Sequence, residues 1–105
     1  MGLLNAIFGI NSNSKKVIVL LNKGAIIIDV RSTAEFKQGN VPNSENIPLN
    51  EFESRIDDIA KIDTPIILCC LSGKRSSKAF SILKEKRNDC VNAGSWKKIN
   101  TLIKA

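Results

Sequence analysis

Pro65-Ile66-Ile67-Leu68-Cys69-Cys70-Leu71-Ser72-Gly73-Lys74-Arg75-Ser76 is the stretch that decides the fold of this chain. The run Ile66–Cys70 is short and continuously apolar, the pattern of a strand buried on both faces. Downstream, Ser76-Ser77-Lys78-Ala79-Phe80-Ser81-Ile82-Leu83 reads as a helix, expected over residues 75–86. A thiol, Cys70, therefore sits at the carboxyl end of a strand, on a short loop that opens into a helix N-terminus. Helix N-termini and cationic neighbours such as Lys74 and Arg75 lower a cysteine pKa from about 8.5 into the range of roughly 3.5–7.5. The unpaired amides and dipole of a helix start also bind anions. The place suits a nucleophilic sulfur that attacks, or carries, something negatively charged.

Outward from this stretch, strands and helices alternate. Asn11-Ser12-Asn13-Ser14 is a polar break before a helix over 15–22, with Gly24 as its stop signal. Ala25-Ile26-Ile27-Ile28-Asp29-Val30 is a β-branched run expected to form a buried strand. Ser32 and Glu35 have capping-box spacing and open a short helix through Gln38. Gly39-Asn40-Val41-Pro42-Asn43 is a turn, and residues 44–47 form a short strand that Pro48 ends. Asn50 with Glu53 is read as the cap of a helix holding Phe52, Ile56, Ile59 and Ala60. A last strand lies near Cys90-Val91-Asn92, and Ser95 caps a helix holding Trp96, Ile99, Leu102 and Ile103. This alternation predicts an α/β fold with a parallel sheet covered by helices on both sides. In such sheets ligands bind at the carboxyl ends of the strands, where Asp29–Arg31 and Cys70 both fall.

The chain has 105 residues, 43% hydrophobic and 25% charged, which fits one soluble domain with a single core. The domain is placed over residues 14–105, after a short apolar segment over 1–13. That segment lacks a basic start and a small-residue cleavage site, so no signal peptide is expected. Ala6 stands where a myristoylation signal has Ser or Thr. No apolar run reaches the ~18 residues that span a membrane. The net charge of +6 is uneven: residues 1–60 carry six Lys/Arg against seven Asp/Glu, and residues 61–105 carry ten against three. The basic half places a field for small anions around the Cys70 loop. Scattered basic residues, no Tyr, one Trp and four Phe argue against nucleic-acid binding. The absence of His excludes a Cys–His pair, a Ser–His–Asp triad and His-based metal sites, and adjacent Cys69 and Cys70 lack zinc-pair spacing. Three cysteines without a signal sequence point to free thiols in a reducing, cytoplasmic setting.

Ile28-Asp29-Val30-Arg31, Glu35-Phe36, Gly39-Asn40-Val41-Pro42, Asn46-Ile47-Pro48-Leu49, Cys70-x-x-Gly73-x-Arg75-Ser76 and Ala93-Gly94-Ser95-Trp96 follow in an order and spacing that resembles a single-domain rhodanese. The resemblance covers roughly residues 14 to 104. It implies a three-layer α/β/α fold with a five-stranded parallel sheet. It also implies a sulfurtransferase that needs neither cofactor nor metal. The matching cysteine, Cys70, takes a sulfane sulfur from a thiosulfate-like or persulfide donor, holds it as a persulfide, and passes it to a thiol, cyanide or a protein acceptor. Leu71, Ser72, Gly73, Lys74 and Arg75 form the sulfur-binding loop. Asp29 and Arg31 match a pair that supports the loop by hydrogen bonds and salt bridges, with Ser76 at its far end. A monomer that engages neither nucleic acid nor membrane is the expected state.

The residues themselves agree with that expectation. A persulfide's outer sulfur is stabilised by amides without an acid–base group, and Gly73 lets the loop turn its amides inward. Cys69 and Cys90 read as core residues, Trp96 as a packing residue with a possible place at a pocket edge. There are departures from the family pattern. Asn40 stands where the family often has His, Asn43 and Ser44 where it often has Gly and Ala, Ala93 where it often has Gly, and Leu71 is apolar where many members are polar. Two other functions share this pattern: a non-turnover sulfur-carrier or redox module, and a phosphatase or arsenate reductase. The phosphatase-type loop sets five residues between Cys and Arg, against the four here, Leu71-Ser72-Gly73-Lys74.

Overall fold

The computed structural model describes residues 11–104. Of the N-terminal segment placed over 1–13, residues 1–10 lie outside the described residues, and residues 12 and 13 already belong to the first helix. Helix α1 (Ser12–Asn22) starts at Asn11, whose side chain accepts the Ser14 N–H, three residues earlier than the apolar pattern indicates. Strand β1 (Ile26–Asp29) follows, then helix α2 (Thr33–Gln38) with the expected Ser32/Glu35 capping box. Strand β2 is only Glu45–Asn46. Helix α3 (Leu49–Phe52), a 3-10 turn (Glu53–Arg55) and helix α4 (Ile56–Ala60) lead to strand β3 (Ile66–Cys70). Helix α5 (Lys74–Leu83), strand β4 (Cys90–Ser95) and helix α6 (Trp96–Lys104) complete the fold.

Asn50 does not cap a helix. Pro48 occupies the cap position with no side-chain bond, and its ring-fixed φ of −53° starts the turn instead. Helix α5 stops at Leu83, because Lys86 and Arg87 both donate back to the Leu83 carbonyl and close the end as a turn. Ser95 does cap α6, its Oγ accepting the Lys97 N–H at 3.2 Å.

The sheet is parallel throughout, in the order β2-β1-β3-β4. Among the described residues it has four strands, not the five that the resemblance implied. Residues 12–22 before β1 form helix α1, so no strand precedes β1 among the described residues. The alternation of β3 divides the core. Ile67 and Cys69 pack with α1 and α6 on one face, through Val17, Ile18, Ile99 and Leu102. Ile66, Leu68 and Cys70 pack on the other face with Phe52, Ile59, Ala79 and Leu83. At ~25 cal/mol per Å² of apolar surface, burial of these fully enclosed side chains is the main force holding the layers together.

The chain leaves β1 toward one sheet edge and β3 toward the other, so the strand order reverses between them. That is the position where α/β sheets bind ligands. Asp29 pairs across this seam with Cys69, and Cys70 ends β3. A bulge in β4 sets Leu68 opposite Asn92 but Cys69 opposite Gly94, leaving Ala93 as the extra residue.

Candidate active site

Cys70 is 1% exposed and its sulfur is surrounded by donors from the next loop. The Gly73 N–H lies 2.9 Å from Sγ and the Ser76 N–H 3.4 Å, with the Ser76 hydroxyl at 3.3 Å. Gly73 makes this possible. It caps α5 in the left-handed region at φ 103°, and a Cβ there would lie 3.3 Å from the Gly94 Cα. Gly94, itself at φ 85°, follows the β4 bulge and supplies the flat surface on which the loop rests.

Asn92 pins the same loop to β4. Its Nδ2 donates to the Gly73 carbonyl at 3.3 Å, and its Oδ1 accepts from the Gly94 N–H at 3.0 Å and the Ser76 hydroxyl at 2.7 Å. The hydroxyl has one proton for Asn92, the Gly73 carbonyl and Sγ, so the two backbone N–H groups are the fixed donors to sulfur. Burial pushes the Cys70 thiol up. Hydrogen bonds from Ser76, Gly73 and the Ser72 N–H outweigh it, and the thiol lies below its ordinary value. Of the two expected sources of activation, amides and cations, the N–H groups aimed at the sulfur are the ones that lower the thiol. Cys69 and Cys90, also buried, have no such donors, and burial pushes both thiols up.

Arg75 is held by Glu35, which sequence reading placed in a helix cap and in a family motif but not beside the loop. Its two terminal nitrogens reach Glu35 Oε1 at 2.7 Å and Oε2 at 3.0 Å. The hydrogen bond from Arg75, aided by Ser32, holds the Glu35 carboxyl down at about 2. The Ser32 and Glu35 backbone bonds of the capping box thus orient the same carboxylate that faces the loop. The Arg75 side chain remains 37% exposed.

Asp29 and Arg31 are brought together, but neither bonds directly to the Cys70 loop. Arg31 grips Asp29 through Nε and Nη2, at 2.9 and 2.7 Å from Oδ2, in a pair almost wholly buried. Arg31 also donates to the carbonyls of Gly39 at 2.7 Å and Glu35 at 3.4 Å, and lies 4.6 Å over the Trp96 ring. Asn46 closes the group by donating to the carbonyls of Asp29 and Arg31. The pair therefore fixes α2, and reaches the loop only through Glu35 and Arg75. Gly39 leaves room for this arrangement, since a Cβ there would meet the Trp96 ring at 3.0 Å.

Two clefts flank the loop. One, of about 420 Å³, is bounded by Arg31, Glu35, Gly39, Leu71, Trp96 and Lys97, which puts Trp96 at a pocket edge. Leu71 stands 52% exposed beside it. The other, of about 660 Å³, runs past Ser72, Gly73 and Lys74 toward α6. Asn43, the departure in the turn before β2, takes φ 67°, a conformation that Asn tolerates better than most residues. Asn40 donates to the Phe36 carbonyl at 2.8 Å and closes α2.

Asn92, Glu35 and the Arg31–Trp96 stack were not visible as site features in sequence. Asn92 carried one signal of its own, a polar residue inside an otherwise apolar strand.

Comparison with known proteins agrees with this geometry. A family model described as Rhodanese-like domain matches residues 13–101. The chain is 35% identical over 85 residues to the uncharacterized protein YqhL of Bacillus subtilis, covering 77% of this chain and 65% of that one. It is 30% identical over 98 residues to a putative mitochondrial thiosulfate sulfurtransferase of Schizosaccharomyces pombe, covering 80% and 69%. It thus spans about two thirds of the length of both. The human single-domain sulfurtransferase TSTD1 superposes with a TM-score of 0.65 at 25% identity, over 83% of this chain and 91% of that one. A thiol cradled by loop amides at the seam of a parallel sheet, and a family match over nearly all the described residues, lead to one conclusion: the chain belongs to the rhodanese-like domain family.

Proposed function

We propose that this protein is a sulfurtransferase working through a persulfide on Cys70. The observation that carries the reading is the pair of backbone N–H groups, Gly73 and Ser76, aimed at Sγ from 2.9 and 3.4 Å. They favour the thiolate that attacks, and Cys70 again when it leaves. In the first half-reaction the thiolate attacks the outer sulfur of a thiosulfate-like donor. The donor's S–S bond breaks and sulfite departs with the electron pair. In the second, a thiolate or cyanide attacks the sulfane sulfur, and Cys70 leaves as the thiolate. Neither half needs a metal, an acid or a base.

Leu71, Ser72, Gly73, Lys74 and Arg75 form the cradle in this reading. Arg75 stays in place through Glu35 while its exposed guanidinium keeps unused N–H donors toward the donor's anionic end. Ser76 and Asn92 hold the cradle's shape, and Asp29 with Arg31 anchors α2 beneath Glu35. Four residues between Cys70 and Arg75 supply fewer inward amides than a phosphoryl group's three oxygens require, which favours sulfur over phosphate. Incubation with thiosulfate followed by intact-mass measurement tests the proposal. One added sulfur atom, mapped to Cys70 and removed by cyanide with release of thiocyanate, is the expected result. Absence of the adduct together with hydrolysis of aryl phosphates would reject it.

A further inference from the structure

Arginines and lysines are used differently here. Among the described residues, Arg31, Arg75 and Arg87 each hold a carboxylate, whereas no lysine forms an ion pair. Three of these lysines gather at one place. Lys74 and Lys78, four apart on α5, and Lys98 on α6 line the cleft of about 660 Å³ beside the sulfur loop. No carboxylate and no aromatic ring lines it. Residues 1–10 contain no Asp or Glu that would neutralise it. Like charges gathered without a counter-charge raise the local potential and draw an anionic partner.

The cleft is close to the chemistry. Gly73 is part of its wall, and the Gly73 N–H is 2.9 Å from Cys70 Sγ, so the sulfur lies one peptide group behind the surface. The cleft lies largely open to solvent, a shape that suits a segment laid across it rather than an enclosed small molecule. A five-atom thiosulfate ion would leave most of it empty. A nucleic-acid strand would find charge but no ring on which to stack a base.

We propose that the cleft between α5 and α6 docks an acidic protein segment whose cysteine takes the sulfur from Cys70. The proposal rests on the sulfurtransferase reading and adds the class of acceptor. The acceptor thiolate attacks the outer sulfur of the Cys70 persulfide. The bond between that sulfur and Sγ breaks, Cys70 leaves as the thiolate, and the acceptor becomes a persulfide. No net oxidation occurs.

The test uses the full chain loaded with sulfur from thiosulfate. The probes are a short Asp/Glu-rich peptide with one cysteine and its Asn/Gln counterpart. Transfer to the acidic peptide should be about tenfold faster or more at low salt, a difference that high salt removes. Lys78→Gln with Lys98→Gln should bring the acidic peptide down to the rate of the neutral one and leave transfer to cyanide unchanged. Equal rates for the two peptides, or insensitivity to the double substitution, would overturn the proposal. So would a single-stranded oligonucleotide of equal charge that displaces the acidic peptide. If Cys70 takes no sulfur at all, the catalytic reading fails by itself. Salt-dependent binding of a serine-for-cysteine version of the acidic peptide, measured by fluorescence anisotropy, then decides the docking surface. Binding lost in the double variant supports it, and no binding to the wild type rejects it.

Discussion

Cys69 and Cys70 are neighbours in the chain, yet their side chains belong to opposite layers of the core. The alternation of β3 sends Cys69 toward α1 and α6, and Cys70 toward α5 and the loop amides. Only one of the two thiols therefore meets hydrogen-bond donors. Cys70→Ser should abolish sulfur transfer and leave the melting temperature within a few degrees of wild type. Cys69→Ser should keep most of the activity of its folded fraction, while losing stability because a hydroxyl replaces a buried thiol. Thiocyanate release from thiosulfate and cyanide, measured beside thermal melts, checks both. An active Cys70→Ser protein would undo the assignment.

The thiol titration has a definite sign. The folded pKa of Cys70 is depressed, so ionisation stabilises the fold above the unfolded thiol's pKa. That contribution is lost as pH falls through the lower folded value. Iodoacetamide should alkylate Cys70 with a midpoint below that of a free cysteine. Cys69 and Cys90, raised by burial, should stay unmodified until the protein unfolds. Peptide mapping of the alkylated sites across pH separates the three.

Glu35→Gln isolates the ion pair from the helix cap, because glutamine keeps capping-box geometry while losing its charge. The pair is solvent-screened, so the melting temperature should change little. Turnover with thiosulfate should fall several-fold, since Arg75 loses the partner that holds it at the loop. In the wild type the pair should persist to low pH: the Glu35 carboxyl stays ionised until pH falls to about 2. Unchanged kcat/KM in Glu35→Gln would show that Arg75 needs no such hold.

Gly73→Ala and Gly24→Ala make a matched test of the loop. Both glycines have positive φ, at 103° and 83°. A Cβ at Gly24 meets nothing within 4 Å, whereas one at Gly73 meets the Gly94 Cα at 3.3 Å. Gly24→Ala should cost about 1–2 kcal/mol of stability and leave activity intact. Gly73→Ala should cost more and move the N–H that faces the sulfur, with loss of most turnover. Urea melts and the cyanide assay distinguish the two.

Local features of the fold were legible in the sequence where their causes are local. Strand β3 ends where its apolar run ends, and the Ser32–Glu35 box forms because its donors and acceptors are three residues apart. The position of Cys70 followed from strand, glycine and helix in succession. What escaped reading depends on contacts distant in sequence. Glu35 and Arg75 are 40 residues apart, and Asn92 meets Ser76 across 16. No periodicity encodes such pairs. Asn50 failed as a cap for a different reason: Pro48, two residues earlier, fixes the chain into the helical turn before a side-chain cap is needed.

The contact of Gly73 with Gly94 also sets an order of events during synthesis. The loop cannot take its final shape against β4 until residues 90–95 have been made, and β3 has only one of its two sheet neighbours before then. A chain still on the ribosome with β4 inside the exit tunnel would have the Cys70 thiol but not its cradle. Sulfur competence should appear abruptly once β4 emerges, rather than growing with chain length. Nascent chains stalled at successive lengths, exposed to thiosulfate and assayed for sulfur carried on Cys70, should show that step.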